Sequence, residues 1–153
     1  MKSSGKIIEL QIERLTLEGE GVGGYEGSEV SLFNALPEER IRAQVFKQRR
    51  GMAKAMALEI LVASPFRISP AEDHFLSCSP WQIMDFSYEN EWKIKNVSRL
   101  LAPFPSECLE TEIESVQKRF GYRNKMEFSF IPHEGKISLA FFHRGRRIKR
   151  PIG

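Results

Sequence analysis

Residues 36–62 read LPEERIRAQVFKQRRGMAKAMALEILV. Leu36-Pro37-Glu38-Glu39 makes a turn. Ile41, Ala43 and Val45 then alternate with Arg42, Gln44 and Phe46, the period of two that belongs to a strand with one buried face. Lys47-Gln48-Arg49-Arg50-Gly51 is a basic hairpin tip, and Met52 to Val62 returns as a further strand, although its Ala and Met content would equally allow a helix. Upstream, Ile8, Leu10 and Ile12 alternate with Glu9, Gln11 and Glu13, a first strand over about 7–15. The Gly-rich stretch LEGEGVGGYEGSE supplies turns, and Val30 to Phe33 is again strand-like. Gly19-x-Gly21-x-x-Gly24 has the spacing of a dinucleotide-binding loop, but a strand pattern follows it instead of a helix. No helix N-terminus stands there to receive a pyrophosphate, so the match is rejected. Five short strands with Gly-rich turns in about 60 residues predict a small closed barrel of OB-like type over residues 1–63.

Ser64-Pro65 to Ser69-Pro70 reads as a linker by its prolines, and His74-Phe75 to Trp81 as irregular. Asp85 or Ser87 can cap a helix through Tyr88, Trp92, Ile94, Val97, Leu100 and Leu101, ended by Pro103 and Pro105. Leu109 to Val116 predicts a strand with Glu110, Glu112 and Glu114 on its outer face. Phe120 to Phe130, FGYRNKMEFSF, predicts another. Tyr122, Asn124, Met126, Phe128 and Phe130 fall on its core face, and Arg123, Lys125, Glu127 and Ser129 on the other. Gly135 turns the chain into a strand over Ile137 to Phe142. The fold class is mainly β, with a partial α+β unit over residues 64–153.

Net charge is only +3, but it is unevenly spread. Before Arg40 there are three basic and eight acidic residues; from Arg40 to Lys54 there are six Lys/Arg and no acid, and from Arg144 to Arg150 five and none. Such clustering is the electrostatic footprint of nucleic-acid binding. Cys78 and Cys108 are too few for a disulfide framework or a four-thiolate metal site. No apolar run approaches membrane length, and no long apolar stretch follows Lys2. The expectation is a cytoplasmic monomer that does not enter membranes.

Together these residues resemble the N-terminal part of the RNA uracil-5-methyltransferases. The likeness of residues 5–63 to the TRAM barrel of that family rests on Ile12-x-x-Leu15, Gly19-x-Gly21-Val22-Gly23, Ala35-Leu36-Pro37-Glu38-Glu39 with Ile41 and Val45, and Ser64-Pro65-x-Arg67-x-x-Pro70. Glu38 stands where the family commonly has Gly. The rest resembles the family's central domain through His74-Phe75-x-x-Cys78, Tyr88-x-x-x-Trp92-Lys93 and, most specifically, Tyr122-Arg123-Asn124-Lys125-Met126-Glu127-Phe128.

The resemblance implies an S-adenosylmethionine-dependent enzyme acting on rRNA or tRNA, in which a catalytic thiolate attacks C6 of uracil and C5 takes the methyl. Neither Cys78 nor Cys108 lies in a stretch matching that catalytic motif, so no catalytic residue is assigned, and these residues are expected to be a fragment without the cofactor-binding domain. Many relatives hold an iron–sulfur cluster on four cysteines, three in or near a CxxxxxCGGC run; here Ser79, Pro80 and Trp81 replace the Gly-Gly-Cys. One thiolate cannot hold a cluster, so no metal is expected. Trp81 should fill the space, Cys78 should be a buried apolar residue, and Glu72, Asp73 and His74 a solvated turn. The partner expected is RNA, bound through Lys47, Arg49, Arg50, Arg123, Lys125, Arg144, Arg146 and Arg147, with Phe46, Tyr25 and Phe33 as candidates for base stacking. The competing class is a freestanding RNA-binding module, an RNA chaperone or translation accessory without chemistry.

Overall fold

The computed structural model describes residues 5–104, 119–121, 124–142 and 149–152. Six strands, β1 (Ile7–Gln11), β2 (Arg14–Leu15), β3 (Gly21–Tyr25), β4 (Ser28–Phe33), β5 (Arg40–Arg49) and β6 (Met52–Val62), form one sheet in the order β1-β5-β6-β4-β3-β2. The expected first strand is thus two. β1 pairs antiparallel with β5 and β2 with β3, so Ile12 and Glu13 carry a single run of chain from one edge of the sheet to the other. At that crossing Ile12 N donates to Glu39 O and Glu13 N to Val22 O, each at 2.8 Å. The glycines serve this approach. A Cβ on Gly23 would lie 2.0 Å from the Gln11 carbonyl oxygen, and β4 follows β3 directly, so the Gly-rich stretch packs strands and has no helix to cradle a phosphate.

The inward residues of this sheet are Ile8, Leu10, Ile12, Val30, Leu32, Ile41, Ala43, Val45, Ala53 and Ala55, all buried in one cluster. Met52 to Val62 is a strand because its alternate residues Ala53 and Ala55 complete that core against Val45 and Val30. Tertiary pairing overrides the helical propensity of Ala.

A second cluster joins Leu15 and Leu36 to Ile83, Met84, Tyr88 and Trp92. The last four come from a 3-10 turn (Pro80–Ile83), its exit, and the helix α2 (Phe86–Leu101). Asp85 is the cap: its Oδ1 accepts from Ser87 N at 2.8 Å and from Ser87 Oγ at 2.6 Å, and those bonds hold its carboxyl below the usual range. The buried stripe of α2 is Tyr88, Glu89, Trp92 and Asn96, while Leu100 is exposed. The Pro-rich stretch after Ser64 is fastened down: Phe66 stacks on Tyr88 at 4.0 Å, Asp85 N donates to Phe66 O, and Ile68 N to Ile83 O.

Between the two clusters lies one buried ion pair. Glu39 is 0% exposed. Its Oε1 accepts from Arg67 Nε at 2.5 Å and from Ser64 N at 3.2 Å; its Oε2 accepts from Arg67 Nη2 and Leu36 N, both at 2.8 Å. Arg67 also donates to Asn34 Oδ1 and to Asn34 O. The carboxylate ties the β4–β5 turn to the chain leaving β6.

A smaller sheet, β7 (Ser129–His133), β8 (Lys136–Phe142) and β9 (Lys149–Pro151), runs antiparallel in that order. It corrects the expected strand over Phe120–Phe130. Ladder pairing starts at Ser129↔Ala140, and residues 125–128 belong to no strand. Side-chain alternation alone does not make a strand. Nor is the expected core face buried: Met126, Phe128 and Phe130 are all exposed. Leu109 to Val116 and Tyr122-Arg123 lie outside the described residues.

Breaking the Glu39–Arg67 pair leaves a buried guanidinium uncompensated. Glu39→Ala should destabilise the chain by about 3–5 kcal/mol, measured by urea denaturation; a loss under about 1 kcal/mol would mean that water or another acceptor replaces the carboxylate.

Candidate nucleic-acid interface and a neighbouring polar cluster

The β5–β6 hairpin closes with Arg49↔Met52, leaving Arg50-Gly51 as a two-residue turn. Both residues have positive φ, +44° and +76°, the signature of a type I′ turn, for which Asn-Gly is favoured. An Arg in the first position is a strained choice.

A β-bulge then sets which way the cations point. Val45 pairs with Ala55, but Lys47 pairs with Lys54, so Phe46 is an extra residue on β5. Val45 and Ala55 face the core. Past the bulge, Gln48 and Ala53 share that inner face, while Lys47, Arg49, Met52 and Lys54 share the outer one. Without the extra residue, Lys47 and Arg49 would turn inward. Phe46 itself is partly exposed at the base of this patch.

The hairpin tip differs electrostatically from the rest of the sheet. Arg14 pairs with Glu29, Arg40 and Arg42 with Glu9, Arg42 also with Glu59, Lys6 with Glu26, and Lys54 with Glu20. Lys47, Arg49 and Arg50 are exposed and have no acidic partner among the described residues. They are three uncompensated charges on a two-stranded projection.

The other expected contacts are not brought to this patch. Lys125 is exposed and lies 3.0 Å from Glu127. Arg123, Arg144, Arg146 and Arg147 lie outside the described residues. Tyr25 sits beneath Lys6, whose Nζ is 4.8 Å from the ring centroid, and Phe33 is half-buried. Of the three stacking candidates, Phe46 alone adjoins the cationic tip.

Around Cys78 the structure corrects the expectation of a buried apolar residue: the thiol is half-buried and meets polar groups. A short helix, α1 (Phe75–Cys78), brings the Cys78 thiol to 3.2 Å from Glu72 Oε2 and 3.4 Å from His74 Nδ1. Half-burial and the adjacent Glu72 carboxylate push the thiol up to about 11, and the thiol's hydrogen bond holds the Glu72 carboxyl below its usual range. Glu72 and Asp73 are exposed, as a solvated turn implies, while His74 is half-buried; Asp73 pairs with Arg150 at 2.7 Å. Trp81 packs beside Gly19, where a Cβ would lie 2.9 Å from its Nε1. This donor set does not fit a four-thiolate cluster, since Cys78 is the one thiol among the described residues. Sequence spacing alone held a signal for the polar cluster, because His74 and Cys78 are four apart, one helical turn.

Arg50→Asn should relieve turn strain and raise the unfolding free energy by roughly 0.5 kcal/mol, measured by denaturant titration; a loss of stability would mean that Arg50 makes a stabilising contact.

No protein-family model matches the chain. Among curated proteins, an uncharacterized RNA methyltransferase of Caldanaerobacter subterraneus is 33% identical over 148 residues, 94% of this chain and 33% of that protein. One of Clostridium tetani is 29% identical over 92% of this chain and 32% of its own length. A 23S rRNA (uracil-C5)-methyltransferase of Erwinia tasmaniensis is 28% identical over 88% of this chain and 32% of its own length. The chain spans about one third of the length of these relatives. Over nearly all of its residues, then, it is similar to the N-terminal region of the RNA methyltransferases, the family its motifs resemble.

Proposed function

We propose that residues 1–153 are the RNA-binding N-terminal region of an S-adenosylmethionine-dependent RNA uracil-C5 methyltransferase. In this proposal residues 1–63 form a TRAM-type, OB-like barrel, and residues 64–153 part of a central domain. Together they hold rRNA or tRNA for a catalytic domain that these residues do not include. The observation that carries the proposal is the hairpin tip, where Lys47, Arg49 and Arg50 project without acidic partners from a sheet whose other cations are neutralised. A two-stranded arm bearing free guanidinium groups can reach into a fold of RNA and bind phosphates, with Phe46 placed to stack an unpaired base. The names of the relatives support RNA as the partner. That the first sheet's two edges are joined through Ile12 and Glu13 supports the barrel.

Phosphate contacts make affinity salt-dependent. Replacing Arg49 and Arg50 together by Ala should weaken binding of a structured rRNA fragment and lower the log–log salt slope by about 0.7–0.9 per lost phosphate contact. Fluorescence anisotropy over a salt series measures this; an unchanged slope would remove the hairpin from the interface. The chain by itself should bind RNA and show no heat of binding with S-adenosylmethionine in calorimetry. Cofactor binding by these residues alone would overturn the division of labour.

A further inference from the structure

We propose that Glu72, His74 and Cys78 form the binding site of a single divalent transition-metal ion of zinc type. The proposal is independent of how the chain binds RNA.

Three donor atoms of different kinds meet here. Cys78 Sγ lies 3.2 Å from Glu72 Oε2 and 3.4 Å from His74 Nδ1, and those two are 3.4 Å apart. A tetrahedral zinc ion has bonds of about 2.3 Å to sulfur and 2.0–2.1 Å to nitrogen and oxygen, which sets neighbouring ligands roughly 3.3–3.6 Å from each other. The triad is therefore already close to the edges of one face of that tetrahedron. An ion would need little movement of the side chains. It would displace the thiol proton that now bonds Glu72, and that proton would leave to solvent.

The backbone holds this arrangement. Phe75 N donates to Glu72 O at 3.3 Å, Ser77 N to His74 O and Ser79 N to Phe75 O, both at 2.8 Å, so residues 72–79 form a continuous hydrogen-bonded turn. His74 is clamped from outside by Phe141, edge to face at 5.3 Å. The three ligands open into a cavity of about 290 Å³ lined also by Gln82, Phe120, Met126 and Phe141. That is room for a fourth, exchangeable ligand such as water. Arg119 borders the cavity, but its guanidinium is engaged elsewhere, with Glu89, Trp81 O and Met84 O. A carboxylate and a thiolate thus neutralise a dication.

A buried amide supports the triad. Gln82 is 2% exposed, and its Nε2 donates to Glu72 Oε2 at 3.2 Å. That bond orients the carboxylate beside His74 and Cys78, the outer role that supports metal ligands. Zinc would fix the 72–79 turn against β8, to which Phe141 belongs.

The test is equilibrium dialysis of the metal-free chain against Zn²⁺, with the metal measured by elemental analysis, and against Co²⁺, read by absorption. One ion per chain is expected, with tetrahedral ligand-field bands and a thiolate charge-transfer band for Co²⁺. Cys78→Ser should abolish the charge-transfer band, and His74→Ala should weaken binding by more than the roughly 10–100-fold that loss of an outer partner costs. Cys108→Ser should change neither. Should Cys78→Ser fail to fold, as judged by circular dichroism, Glu72→Gln gives the readout, with weakened binding and a shifted ligand-field spectrum. Absence of stoichiometric binding would overturn the proposal. So would a Co²⁺ spectrum without a sulfur band, or one carried by Cys108.

Discussion

The carboxylate of Glu39 is the constraint on which the rest depends. It has no contact with solvent and accepts four hydrogen bonds, two from Arg67 and two from the backbone at Leu36 and Ser64. A buried ion pair is no sure source of stability, since desolvation offsets most of the attraction. Its effect here is placement. Leu36 N is fixed beside the turn that starts β5, and Ser64 and Arg67 are fixed where the chain leaves β6. Phe66 then falls on Tyr88, and the loop runs antiparallel to Met84. Leu36, at the same turn, is one of the two residues through which the first sheet meets α2. A hydrophobic contact of that size could slide; the bidentate pair permits one orientation.

That placement decides what is exposed. The same β5 that begins at the Glu39 turn ends in the basic hairpin. Its inner residues are committed to the core up to Val45. The bulge at Phe46 then reverses the alternation, so that Lys47 and Arg49 look outward where continued pairing would have turned them in. Three like charges on a narrow arm repel one another, and the Arg50 backbone is held at positive φ. Both costs are tolerated because the hairpin stem is long and well paired. A polyanion bound there, as proposed, would relieve the charge repulsion.

Much of this was legible in the sequence. Period-two alternation placed β1, β5 and β8, the basic tip placed the hairpin turn, and Asp85 placed the start of α2. Leu36 to Glu39 read as a turn and Ser64 to Pro70 as a linker; that Glu39 and Arg67 meet as acid and base requires the fold. The failures have physical causes. Lys125 to Phe128 alternates correctly, yet ladder pairing stops at Ser129, because alternation records a face and not a bonded neighbour. The bulge at Phe46 carries no mark in composition, since it is a mismatch between two strands and not a property of one. Glu72, Asp73 and His74 were read as a solvated turn and Cys78 as a buried apolar residue, so their meeting was missed. What folds them together is the short helix α1, whose four residues are too few to show a period.

The most direct test of the proposed RNA-binding arm is photo-cross-linking of the chain to a uridine-rich, structured RNA, followed by mass-spectrometric mapping of the adducts. Cross-links concentrated on the peptide spanning Phe46 to Met52 are the predicted result, because stacking would set Phe46 against a base while its neighbours grip the phosphates. Adducts confined to the second sheet or to α2, with none on the hairpin, would contradict the account.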